Sequence, residues 1–308
     1  MKHFTFTVSD ATNVHAVEAA AGFVWVGCCR SPSLLLKVSP DLQTTVPITF
    51  DREGGLHDLA FDGRNLWVAH SSGHLSRVDP VTGEFRSWRL EVSGGQHPFL
   101  YCLTFDGDHL WAGTYTDPGR VLRIDPADGG FEEIVLPDVP NHAVRALVPT
   151  GDAIWAGLYT VPGRVVSIDR RSGEIATLDL REGNILCTSG AFDGRFLWFG
   201  LDTMPARVVR IDPQTHDIRG HDLWPASSCV RGLAFDGGFL WLGLYMEPGE
   251  LVRFDPETAE SRRYTMPPEF ANVRDLALQG NTLWAVTQNV RYRPSGLYGL
   301  NRDEMERT

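Results

Sequence analysis

The chain is poor in cysteine, short of basic residues and without long apolar runs. It holds 5 Cys in 308 residues, an odd number with no C-x-x-C pair, which excludes a disulfide framework and the usual spacing of a structural zinc site. No run of about 18 apolar residues occurs, and the N-terminal MKHFTFTVSDATNVHAVEAAAG lacks the basic, apolar and small-residue order of a secretory signal. These absences predict a cytoplasmic protein with no membrane association, in which the adjacent Cys28 and Cys29 are reduced thiols. Lys and Arg number 28 against 39 Asp and Glu, a formal charge of −11, which repels phosphate backbones and excludes nucleic acid as a partner of the outer surface. Also missing are a Gly-rich phosphate loop, a Gly-x-Ser-x-Gly elbow and a His-Glu-x-x-His helix, so no cofactor signature is evident.

What is abundant is tryptophan. Seven of the 9 tryptophans, Trp25, Trp67, Trp111, Trp155, Trp198, Trp241 and Trp284, follow one another at intervals of 42, 44, 44, 43, 43 and 43 residues. Each sits in the same phrase, plainest in LAFDGRNLWVAH, LTFDGDHLWAGTY, LVPTGDAIWAGLY, GAFDGRFLWFGLD and LAFDGGFLWLGLY. A second phrase follows at about 14 residues, as in RVLRIDPADG and RVVRIDPQTH. A fixed period of this size is the mark of a repeat architecture.

Each repeat spells four short strands. An apolar run ends in Phe-Asp-Gly, whose glycine supplies the positive φ of a tight reversal into the Trp strand. A break, often Pro-Gly (Pro118-Gly119, Pro162-Gly163, Pro248-Gly249), precedes a Val/Leu/Arg/Ile strand. Asp-Pro, with Asp79, Asp125, Asp212 and Asp255, turns the chain into an outer strand. The reading is all-β: a seven-bladed β-propeller of four antiparallel strands per blade. Blades are expected at about 14–50, 56–92, 100–137, 144–181, 187–224, 230–266 and 273–300 of one domain over 1–308. The last repeat has no outer strand of its own, so FTFTV in segment 3–8 is expected to supply it and close the ring. A closed ring needs no second copy, and a monomer is expected. The tryptophans then pack between blades and serve the core.

The blade phrases, DG followed by Trp and later by the Ile/Val-Arg-Ile strand, resemble the bacterial seven-bladed propellers that include streptogramin (virginiamycin B) lyase and the NHL and SMP-30/gluconolactonase-like proteins. The resemblance implies the propeller fold and leans toward a lyase- or hydrolase-type enzyme. Where lyase-like repeats commonly carry Glu three residues after Trp, this sequence has Cys28, His70, Thr114, Leu158, Leu201, Leu244 and Thr287. The Glu and Asn/Asp metal motifs of the SMP-30 group are likewise not matched.

Positions that diverge between repeats point to a site. The inner-strand starts VHAV, LHDL, LYCL, VRAL, CTSG, VRGL and VRDL carry, as second residue, His15, His57, Tyr101, Arg145, Thr188, Arg231 and Arg274. Packing one blade on another does not call for three arginines in a ring. Guanidinium forks suit carboxylate or phosphate oxygens, while imidazole and phenol move protons. The expectation is a basic funnel for a small anionic or carbonyl-bearing molecule, held by Arg145, Arg231, Arg274 and Thr188, with His15, His57 and Tyr101 as acid or base.

Loops after the Trp strands add Cys28, Cys29, Arg30, His70, Ser71, His74, Tyr115, Asp117, Tyr159, Asp202, Tyr245, Glu247, Gln288, Arg291 and Arg293. Of these, His70, Tyr115, Tyr159 and Tyr245 are read as ligand-binding. A divalent metal held by imidazoles with Asp58 or Asp202 is a second expectation. Cys102, Cys187 and Cys229 read as core thiols. The rival functional class is a non-enzymatic scaffold that holds a protein partner on a propeller face.

Overall fold

The structure is a computed structural model that describes residues 2–5, 13–51, 54–136, 142–180, 186–224, 229–288 and 295–303. These residues form 28 strands and seven blades, each of four antiparallel strands in order from the channel outward. The inner strands are Val14–Ala20, Leu56–Phe61, Phe99–Phe105, His142–Pro149, Cys187–Phe192, Val230–Phe235 and Val273–Gln279. Each neighbours the next around the ring, and the last returns to the first. The seventh blade takes its outer strand from Lys2–Thr5, which pairs antiparallel with Gly296–Asn301. Closure therefore occurs as expected, over the first part of the 3–8 segment; Phe6, Thr7 and Val8 lie outside the described residues.

The tryptophans measure the fold. All seven are at most 4% exposed, and each lies in a cluster with the following blade: Trp67, for example, with Leu103, Leu110 and Leu122, and Trp284 with Val14, Val26 and Leu36 of the first blade. Blade-to-blade apolar burial of this kind is the main stabilising term of the ring.

The Phe-Asp-Gly turns do two things at once. Asp62 Oδ1 accepts from the backbone N–H groups of Arg64 and Asn65, and its Oδ2 accepts from Trp67 Nε1 at 2.7 Å. Asp106, Asp193 and Asp236 repeat the indole contact. The glycines that follow, Gly63, Gly107, Gly194 and Gly237, all have positive φ, as the reversal requires. In the fourth blade Thr150 takes the place of Asp, and Trp155 Nε1 is buried without a partner among the described residues.

One feature departs from seven separate sheets. Tyr115 and Thr116, at the end of the second strand of blade three, pair with Ala143 and His142 at the start of blade four. The two blades thereby form one eight-stranded sheet.

Candidate functional site at the channel mouth

In every blade the inner strand slips by one residue against the Trp strand, between Val14 and Ala16, Leu56 and Asp58, Leu100 and Cys102, Val144 and Ala146, Cys187 and Ser189, Val230 and Gly232, and Val273 and Asp275. The extra residue of each β-bulge is thus His15, His57, Tyr101, Arg145, Thr188, Arg231 or Arg274. A bulge releases one residue from the ladder and re-aims its side chain. All seven line a central cavity of about 160 Å³.

The three arginines are not equivalent. Arg231 is tied down: its Nη2 lies 2.8 Å from Asp202 Oδ2, and its Nε donates to Cys229 Sγ at 3.1 Å. Arg145 has its guanidinium carbon 4.4 Å from the Tyr101 ring centre and 3.8 Å from that of Tyr159, and its Nε is buried without a hydrogen-bond partner among the described residues. Arg274 Nε is likewise unpartnered; its Nη2 stands 3.4 Å from His15 Nδ1. Tyr159 donates its hydroxyl to Asp202 at 3.1 Å. Tyr245 lies between two arginines, 5.6 Å from Arg231 and 6.0 Å from Arg274.

On the histidine side the hydrogen bonds fix the tautomers. Gln288 Nε2 donates to Asn13 Oδ1, which also accepts from His15 Nε2 at 3.1 Å. His15 Nδ1 is then a bare lone pair, facing Arg274 and, at 3.3 Å, His57 Nδ1. His57 must carry its hydrogen on Nδ1, and its Nε2 lone pair meets Cys29 Sγ at 3.5 Å. Burial, reinforced by Arg274 and its neighbours, pushes the His15 pKa down to about 2 and that of His57 to about 4. Both rings are neutral near pH 7. Burial raises the Cys29 thiol, against the pull of Arg274.

Below the ring lie carboxylates that staple blade to blade. Asp58 accepts from Leu59 N at 2.8 Å and, across to blade three, from Leu103 N at 2.7 Å. Asp275 accepts from Leu276 N at 2.8 Å and, across to blade one, from Val17 N at 2.9 Å. Burial raises Asp58 well above the usual carboxylate range, Asp275 to about 6 and nearby Glu18 to about 7.

Several expected residues stand elsewhere. His70 is fully buried, its Nδ1 3.3 Å from Ser33 Oγ and its Nε2 2.9 Å from Ser76 Oγ; it serves a serine network inside the blades and does not line the cavity. Asp58 and Asp202 are occupied by backbone N–H groups and by Arg231 with Tyr159, so neither completes a set of imidazole ligands as expected. Thr188 lies on the cavity wall with its hydroxyl turned to the carbonyls of Gly200 and Val230. Tyr115 is 56% exposed on the rim. Arg291 and Arg293 lie outside the described residues.

The pairing of Cys29 with His57, and the Gln288–Asn13 support, were not anticipated. The signal existed: Cys29 and Gln288 hold the repeat position, four residues after Trp, that carries Tyr159 and Asp202 elsewhere. Among the described residues His15, Cys29 and His57 form a group whose ligand-type atoms lie within 4.8 Å of one another.

No protein-family model and no curated protein matches this sequence. Solved structures match it widely. One is the β-propeller domain of Cps50 (Swd1) from Myceliophteria thermophila, with a TM-score of 0.70 and 18% identity over 96% of this chain and 99% of that one. The chain is a β-propeller. Identity this low establishes the fold and carries no activity with it. Among the described residues, no helix is long and apolar enough to cross a membrane.

Proposed function

We propose that the channel mouth binds a small anion of the carboxylate class, gripped by Arg145 and Arg274. The observation that carries this reading is that Arg145 and Arg274 line the 160 Å³ cavity while their Nε–H groups are buried without an acceptor among the described residues. A buried N–H without an acceptor costs about 1–3 kcal/mol, and an anionic oxygen supplies the acceptor. Arg231, neutralised by Asp202, shapes the wall and adds little charge. Proton-moving chemistry, a lyase or hydrolase as in the streptogramin lyase-like group, would use His15, His57 and Tyr101. With their pKa values held far below 7, both imidazoles are neutral but weak bases and suit neither the acid nor the base role, so binding is the stronger form of the proposal.

Isothermal titration with acetate, oxalate, succinate, citrate and inorganic phosphate tests it. One of these is expected to bind, and Arg145→Ala to weaken it about 10- to 100-fold, the value of a hydrogen bond to a charged group, with little change in Tm. No binding to the wild type by any of the five, or equal binding by the variant, overturns the reading.

A second reading is a non-enzymatic scaffold holding a protein partner on the same face. It is supported by Val161 and Met204, 60% and 81% exposed at equivalent loop positions of adjacent blades, and by Tyr115, 56% exposed near the end of the Trp strand of blade three. Exposed apolar side chains clustered on one rim are a mark of contact surfaces. The likeness to the Swd1 propeller domain is compatible with it at the level of fold.

A further inference from the structure

We infer that Cys29, His15 and His57 form a binding site for a zinc-class metal ion, with its open coordination position toward the arginine side of the cavity. The inference does not rest on the arginine-held anion, because none of the three ligands is Arg145 or Arg274.

The mouth is chemically divided. At the two repeat positions that build it, blades four, six and seven present Arg145 with Tyr159, Arg231 with Tyr245 and Arg274 with Gln288, whereas blades one and two present His15 with Cys29 and His57 with Ser71. Imidazole and thiol are concentrated at one boundary, and ligands of that kind select zinc or copper over magnesium or calcium. The distances suit it. Tetrahedral zinc, with bonds of about 2.0–2.1 Å to nitrogen and about 2.3 Å to sulfur, sets ligand edges of about 3.3 Å between nitrogens and about 3.5 Å from nitrogen to sulfur. His57 Nε2 is 3.5 Å from Cys29 Sγ, and one ligand-type atom from each of His15, Cys29 and His57 lies within 4.8 Å of the others; the 3.3 Å approach of the two Nδ1 atoms is the hydrogen bond between the rings. His57 ligates through one nitrogen only, so loading requires its ring to rotate and release His15 Nδ1.

Two further features favour binding. His15 donates its Nε2–H to Asn13, itself held by Gln288, which leaves Nδ1 for the metal; an outer partner of this kind orients a ligating histidine. With its hydrogen on Nδ1, His57 turns its Nε2 lone pair toward Cys29 Sγ at 3.5 Å. Arg274 opposes, its Nη2 being 3.4 Å from His15 Nδ1. The charge balance answers it: binding releases the Cys29 thiol proton to solvent, the thiolate cancels one of the two metal charges, and an anion in the fourth position cancels the other.

The test titrates chelator-treated protein with Co²⁺ and follows the thiolate-to-cobalt charge-transfer band in the near ultraviolet. One equivalent should bind with that band and be displaced by Zn²⁺. Cys29→Ser should abolish the band, and Asn13→Ala should weaken Zn²⁺ binding about 10- to 100-fold. X-ray absorption on zinc-loaded wild type, which needs no variant to fold, should give one sulfur and two imidazole neighbours. Absence of the band, metal uptake unchanged in Cys29→Ser, or a sulfur-free zinc shell overturns the inference. Arg145→Ala should keep the cobalt band, so failure of the anion reading is told apart from failure of this one.

Discussion

Each buried ionisable residue of the channel has its charge state set by its neighbours, and the two kinds pull stability in opposite directions with pH. His15 and His57 are depressed on folding, so their contribution is present above the ordinary histidine pKa of about 6.5 and fades as pH falls below it. Asp275 and Glu18 are raised, to about 6 and about 7. In their pH window the folded state holds more protons than the unfolded one, so their contribution is greatest below about 4 and is lost as pH rises through the folded values. Between about pH 4 and 6.5 the two sets oppose each other. Asp275→Asn removes one titrating carboxyl and leaves the histidines. The stability of the wild type relative to this variant should therefore increase as pH falls from 7 to 4. Urea denaturation at four pH values in that range reads the difference, and a relative stability that declines on acidification would sink the assignment of a raised Asp275.

At the scale of strands and turns, one Asp serves the reversal and the tryptophan together in four blades, while the fourth blade has Thr150 and leaves the Trp155 indole N–H without an acceptor among the described residues. Thr150→Asp should restore the contact and stabilise the protein by about 1 kcal/mol. Asp193→Ala should cost about 1–3 kcal/mol, because it strands the Trp198 N–H and uncaps Arg195 and Phe196. Denaturant midpoints of the two variants check the pair, and a destabilised Thr150→Asp would show that the blade-four turn cannot accept the carboxylate. The same repetition decided what the sequence made legible. Strand number, the packing of tryptophans on the next blade and the seven channel residues all follow from period, since a bulge at one repeat position repeats in every blade. What the period could not convey is which unlike residues meet across a blade boundary. Cys29 meeting His57, Asp275 stapling Val17, and His70 turning inward to Ser33 and Ser76 depend on single residues that differ from their repeat equivalents, and on burial that only the closed ring creates.

For the molecule as a whole, the candidate site and the closure of the ring are one problem, because the site straddles the seam where blade seven meets blade one. Across that seam run the Gln288–Asn13 hydrogen bond, the approach of Arg274 to His15, and the staple from Asp275 to Val17 N. The seam's apolar side is Trp284 packed on Val14, Val26 and Leu36. Blade seven is completed from the N-terminal end by the register Lys2 to Gly299 through Thr5 to Gly296. Removing residues 1–5 leaves the strand Gly296–Asn301, whose residues are buried except the last, as an open sheet edge able to pair with another chain. The truncated protein should melt at a lower temperature, associate in a concentration-dependent way, and bind Co²⁺ more weakly than the full chain, since the support of His15 comes from across the loosened seam. Thermal unfolding, size-exclusion chromatography at two concentrations and the cobalt titration measure these together. If the truncation melts, elutes and binds metal as the full chain does, the N-terminal strand is not the latch of the ring, and the apolar packing and hydrogen bonds across the seam hold it without that strand.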